Sequence, residues 1–167
     1  MKKLFLLRHA KASREFSILK DIERPLTERG FHDAKLVSEQ FKKKIGTPGL
    51  IISSPAVRAY STAIVFASAF HYPEDRIQLN GKLYNSSVED YLEVIMELDP
   101  SCETAMIVGH NEVMTDTVKK LIHDSSFESL RTCAVAALSC DIKSWNSISS
   151  KLCRLESVLF PALLKEV

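Results

Sequence analysis

Short apolar runs stand at residues 4–7, 50–52 and 105–108, and two further strand-like stretches at 134–140 and 152–158. Their length and their bounding polar residues read as strands, those at 50–52 and 105–108 as buried ones. Segments of helical period lie between them. Phe31, Ala34, Val37, Phe41 and Ile45 recur at three- and four-residue spacing, with Thr27 as N-cap, Glu28 in the first turn and Gly46 as the stop. Ser54 and Pro55 read as the cap and first residue of a second helix, with a stripe of Val57, Tyr60, Ile64 and Ala67 running towards Pro73. Ser87, with Asp90 three residues on, predicts a third helix faced by Val88, Leu92, Ile95 and Met96 and ended by Asp99-Pro100. A fourth follows Gly109-His110-Asn111 and carries Val113, Met114, Val118 and Leu121. Residues 11–24 form a polar loop closed by Pro25, and the last two runs read as strands around a turn at 143–150. Alternating strands and helices predict an α/β fold with a mostly parallel sheet and helices on both faces, the tail adding an antiparallel pair.

Composition narrows the class. A chain of 167 residues suits a single domain, 1–167, and 46% hydrophobic with 26% charged residues is a globular rather than a disordered balance. The net charge of +1 lacks the basic excess of a nucleic-acid binder. No apolar run approaches a membrane span. Met1-Lys2-Lys3 followed by four apolar residues imitates a signal peptide, but Arg8-His9 cuts the run short, so a cytoplasmic location is the default expectation. Cys102, Cys133, Cys140 and Cys153 include no C-x-x-C pair and match no zinc spacing; they read as reduced, buried thiols. Nor do the five histidines supply an H-x-H or H-E-x-x-H pair, so no metal is expected.

The candidate chemistry gathers where strands end. The first strand ends in Arg8-His9, the second in Ser53-Ser54 with Arg58 soon after, and the third in Gly109-His110-Asn111. Open α/β sheets bind ligands outside the carboxyl ends of their strands, so two histidines and two arginines reach one edge from three places. Singly, each is commonplace as a turn or surface residue; together they are suited to a phosphoryl group. Guanidinium forks bind its oxygens, one histidine attacks phosphorus, and a second donates to an oxygen as charge shifts. The helix starts after Ser54 and Asn111 add favourable dipoles.

Leu6-Leu7-Arg8-His9-Ala10 resembles the signature of the histidine phosphatase, or phosphoglycerate mutase-like, superfamily. Arg24-Pro25-Leu26-Thr27-Glu28-Arg29-Gly30 is similar to its R-P-L-T-x-x-G segment, Ser53-Ser54-Pro55-Ala56-Val57-Arg58-Ala59 to its S-S-P-x-x-R-A segment, and Val108-Gly109-His110-Asn111 to its second-histidine motif. Four motifs in order cover about residues 3–120, and the short length and R-H-A form most resemble the SixA-type phosphohistidine phosphatases. The resemblance implies a three-layer α/β/α sandwich, a nucleophile at His9, a phosphate pocket completed by Arg8, Arg58 and His110, and no metal or organic cofactor. Asn111 and Ser13 are candidate further phosphate contacts.

The chain departs from the superfamily in its acid. The acid-phosphatase branch has Asp after the second histidine, where Asn111 stands. The mutase branch has Glu in a region that here reads Leu83-Tyr84-Asn85-Ser86-Ser87. Glu89 and Asp90 read as first-turn residues of the third helix, and Asp21, Glu23 and Glu28 lie near the loop after the first strand. An imidazole leaving group is a far weaker base than an alkoxide. A site without a strong acid therefore fits P–N cleavage, and the short chain leaves little for a lid. Lys11, Arg14, Lys20 and Arg24 can widen the positive field around a phosphorylated partner. The leading expectation is a phosphohistidine phosphatase acting on a phosphorylated protein, with no nucleic-acid or membrane partner. The alternatives are a phosphatase or mutase acting on a small phosphorylated metabolite, and a phosphate-recognition protein without turnover.

Overall fold

Leu4 and Leu6 pack to one side of the first strand, β1 (Lys2–Arg8), and Phe5 and Leu7 to the other, so this strand is buried on both faces. The computed structural model describes residues 1–15 and 18–165. The chain continues through α1 (Glu28–Lys44), β2 (Leu50–Ser53), α2 (Val57–Phe70), β3 (Gln78–Leu79), α3 (Val88–Met96), β4 (Thr104–Gly109), α4 (Val113–Ile122), β5 (Val135–Cys140), β6 (Cys153–Leu159) and α5 (Pro161–Lys165). The sheet order is β3-β2-β4-β1-β5-β6. β1, β2, β3 and β4 run parallel, whereas β5 and β6 are antiparallel to their neighbours. α3 and α4 cover one face through Tyr91, Val94, Ile95, Met114, Val118 and Leu121. α1 and α2 cover the other through Val37, Phe41, Ala59, Ala63 and Phe66. The expected α/β/α sandwich is present, with its antiparallel tail.

Thr27 caps α1 by accepting from the Gly30 amide at 2.9 Å, and α1 stops at Gly46, whose φ of +121° suits glycine. Ser87 and Asp90 form a reciprocal capping box on α3. The start of α2 differs from expectation. The helix begins at Val57 with Ala56 in the cap position, because Ser54 Oγ is engaged with the His110 ring at 2.8 Å while accepting from the Ala56 amide at 3.2 Å. The α1 face is as expected at Ala34, Val37, Phe41 and Ile45, but single expected positions on three helices point outward. Phe31 and Met96 are 46% and 42% exposed and Val57 lies outward, while Arg58, Ala59, Thr62, Ala63 and Phe66 form the inner face of α2. Lys2 is buried, and its Nζ donates to the carbonyls of Pro100 and Cys102 at 2.8 and 2.9 Å.

Two cysteines correct the thiol expectation. Cys140 and Cys153 face one another in the β5–β6 register and are joined as a disulfide. Cys102 and Cys133 are free. Antiparallel register brings together residues thirteen apart that no sequence spacing marks as a pair.

Candidate active site

The residue after β1 is stitched into three neighbours. The His9 amide donates to Gly109 O at the end of β4 (3.1 Å), and His9 O accepts from the Cys133 amide before β5 (3.0 Å). The Ala10 amide donates to Thr62 Oγ1 of α2 at 3.0 Å, and the same hydroxyl donates to Arg58 O at 2.7 Å. One threonine thus ties the His9 turn to the helical turn that carries Arg58. From the other side, Lys11 O accepts from the Thr27 amide at 2.9 Å. A Cβ on Gly30 would overlap that carbonyl, so the close approach requires glycine.

His9 Nδ1 lies 2.7 Å from Ala10 O. A carbonyl only accepts, so Nδ1 carries the proton and Nε2 keeps its lone pair. Burial lowers the His9 pKa to about 4, against the opposing pull of the Ala10 hydrogen bond and with the help of Arg58, Arg8 and Arg24. The ring is therefore neutral near pH 7, and its Nε2 lone pair is chemically able to attack. His110 lies with its ring centroid 5.3 Å from that of His9, and its pKa is lowered to about 3, first by burial and then by His9 and Arg58. Its Nε2 is 2.8 Å from Ser54 Oγ, and its backbone amide donates to the buried Tyr91 hydroxyl at 3.1 Å. A Cβ on Gly109 would overlap that hydroxyl, so Gly109 is the residue that lets Tyr91 hold the second histidine. Arg8 Nε and His110 Nδ1 are the two buried side-chain nitrogens without a partner among the described residues. Both flank His9, and an oxyanion held there would supply the missing acceptor.

The arginines are held by carbonyls and one carboxylate. Arg8 Nη1 donates to Leu130 O at 2.7 Å. Arg58, 7% exposed, donates to Asp21 O at 2.7 Å and to Asp21 Oδ2 at 2.9 Å. Asp21 also accepts from the Tyr84 hydroxyl at 2.7 Å and from Arg24 at 2.9 Å. These bonds, Tyr84 first, hold its carboxyl well below the usual carboxylate range. Asp21 therefore reaches the site as an anion that orients Arg58, not as a proton donor. Glu89 pairs with Lys120 at 3.7 Å, and Asp90 is occupied by its capping box.

Asn111 stands next to His110 but its amide is spent elsewhere. Nδ2 donates to Ser129 Oγ and Leu130 O at 2.9 and 3.0 Å, and Oδ1 accepts from the Thr115 amide and hydroxyl at 3.1 and 2.6 Å. Both amide hydrogens and the side-chain oxygen are thus engaged within the protein. Asn111 fixes the Leu130 carbonyl that holds Arg8. Ser13 is buried at the edge of the site, where its Oγ accepts from the Glu15 amide at 3.2 Å and its carbonyl accepts from Arg24 Nε at 2.9 Å.

Two clefts are lined by these residues. The larger, about 720 Å³, leads from Arg8 and His9 past Ser13 and Arg24. The smaller, about 280 Å³, is lined by Arg58, Tyr84, His110 and Glu112 among others. Glu112 is a carboxylate that the sequence reading passed over, although it stands two residues after the second histidine. Thr62, Tyr84 and Tyr91 were also missed as supports; Thr62 and Tyr91 are ordinary helix residues and Tyr84 a loop residue until the tertiary contacts are known. No three His, Cys, Asp or Glu side chains gather to hold a metal among the described residues.

The sequence profile of the histidine phosphatase superfamily (branch 1) matches residues 4–83. An uncharacterized chloroplastic protein of Arabidopsis thaliana is 30% identical over 152 residues, which cover 86% of this chain and 69% of that protein. Among solved structures, the SixA protein of Agrobacterium tumefaciens, assigned as a phosphohistidine phosphatase, is 28% identical with a TM-score of 0.80 over 96% of this chain and 98% of that one. A tungstate complex of the protein histidine phosphatase SixA shares the fold at 19% identity, with a TM-score of 0.83 over 97% and 99% of the two chains.

Proposed function

The chain belongs to the histidine phosphatase superfamily, and we propose that it hydrolyses protein phosphohistidine through a phosphoryl group carried on its own His9. The observation that supports this most is the His9 ring. Nδ1 is committed to Ala10 O, Nε2 keeps its lone pair, and the ring sits within the field of Arg58 and Arg8 and 5.3 Å from that of His110. Nε2 attacks phosphorus, the His9–P bond forms, and the bond to the leaving nitrogen breaks. A substrate imidazole already protonated on its other ring nitrogen leaves neutral and needs no acid. Arg8, Arg58 and His110 take the phosphoryl oxygens as their charge redistributes. Water then attacks phosphorus, the His9–P bond breaks, and phosphate departs. Phosphate charge beside His110 favours its imidazolium, which donates from both nitrogens.

A second reading, hydrolysis of a small phosphate ester, is favoured by Glu112 at the rim of the smaller cleft, where a carboxylic acid can meet an alkoxide. The test compares kcat/KM on a phosphohistidine-bearing protein with a panel of phosphate esters, using His9→Ala as the blank. The proposal expects a large preference for phosphohistidine, unchanged in Glu112→Gln. A preference for an ester that collapses in Glu112→Gln would favour the second reading. No described helix is long and apolar enough to cross a membrane. A cytoplasmic site of action belongs to the same proposal and is tested by cell fractionation.

A further inference from the structure

The larger cleft is more basic than the chain that forms it. The whole protein has 22 basic and 21 acidic residues. This trough is lined by six lysine or arginine side chains and only two carboxylates, Glu15 and Asp33. Asp33 is buried and already taken by Lys165 at 2.8 Å, with Arg29 at 3.8 Å. Arg24 is fixed against Ser13 O and Asp21. Arg131 lies with its guanidinium 4.6 Å from the Phe160 ring centroid and has no carboxylate partner among the described residues. Stacking on an aromatic face orders the fork in advance and leaves its edge N–H groups for an anion.

The positions of these cations indicate the shape of the ligand. Lys11 and Arg14 come from the loop after β1, Arg24 from the segment entering α1, Arg29 from the first turn of α1, and Arg131 from the connection into β5. A single phosphate needs a compact cradle, whereas cations brought by separate segments to a cleft of about 720 Å³ that includes His9 suit a longer acidic chain. We propose that this trough docks an acidic segment flanking the phosphorylated histidine of the partner protein, with Arg131 and Lys11 as its principal contacts. The proposal rests on the phosphoprotein reading above and names the kind of protein that would present the group. Charge complementarity of this kind raises the encounter rate and selects among partners.

The test begins with binding, which needs no turnover. A fluorescent, unphosphorylated acidic peptide and a neutral peptide of equal length are titrated with the full chain. The acidic peptide should bind at least about tenfold more tightly at low salt and lose that margin as salt rises. Lys11→Ala with Arg131→Ala should erase the margin, Arg131→Glu should reverse it, and Arg131→Lys should restore part of it. Equal binding of both peptides, an unaltered margin in the double variant, or binding of tripolyphosphate without binding of the acidic peptide would overturn the proposal. Turnover of the same peptides carrying phosphohistidine is read separately. Wild-type failure there, with the binding margin intact, would count against the phosphohistidine reading and not against the docking trough.

Discussion

Asn111 spends both of its amide hydrogens and both lone pairs of its side-chain oxygen on Ser129, Leu130 and Thr115. Through Leu130 O it governs where Arg8 points. Asn111→Asp would set an acceptor against the Leu130 carbonyl, at a cost of about 1–3 kcal/mol for the unsatisfied polar groups. If that cost falls on the reacting complex, kcat/KM drops by roughly ten- to a hundredfold. The expected result is a loss on phosphohistidine and esters alike; a gain in ester hydrolysis would show that the substituted carboxyl works as the acid. At this scale the sequence placed His9, Arg8, Arg58 and His110 at one edge because strand ends are readable. It left the role of Asp21 open and did not reveal the bonds of Asn111 to Ser129, Leu130 and Thr115, because a side chain's partners forty or twenty residues away leave no periodic trace.

Helix α1 does two jobs at its first turn. Thr27 caps the helix and, with Gly30, clamps Lys11 O, which holds the loop that leaves His9. Thr27→Ala removes the cap, worth about 1 kcal/mol. Thermal unfolding should show a Tm lower by about 2–4 °C for a chain of this size. An unchanged Tm would mean that water or the Lys11 contact replaces the cap. Element boundaries set by caps and glycines were legible here, as at Ser87 and Gly46. The inner faces were less so. Sequence reading favours bulky residues such as Phe31, Val57 and Met96, yet α2 packs through the small Ala59, Ala63 and Ala67 beside Phe66. That face brings the helix close to the sheet and aims Arg58 at the site.

The molecule as a whole keeps two half-buried histidines uncharged at its functional edge. Their pKa values are lowered from 6.5 to about 4 for His9 and about 3 for His110, chiefly by burial. The unfolded chain therefore binds more protons than the folded one below pH 6.5. Their contribution to stability is complete above that pH and declines as pH falls towards the folded values. Denaturant midpoints should decrease from pH 6.5 to pH 4, and His9→Gln with His110→Gln should flatten that decline. A midpoint that rises on acidification would contradict the assignment of neutral rings. The parallel sheet and its helices followed from the alternation of apolar runs. The Cys140–Cys153 pairing did not, because antiparallel register is a property of the assembled sheet.

The central claim is that the phosphoryl group passes through His9. Rapid acid-free quenching during turnover, followed by mass mapping of the intact chain and its fragments, tests it most directly. The account predicts one acid-labile, base-stable phosphoryl group on the fragment carrying His9. It should form at the rate of turnover, be absent from His9→Ala, and be matched by loss of activity in that variant. A phosphoryl group on another residue, or near-normal turnover by His9→Ala, would contradict it.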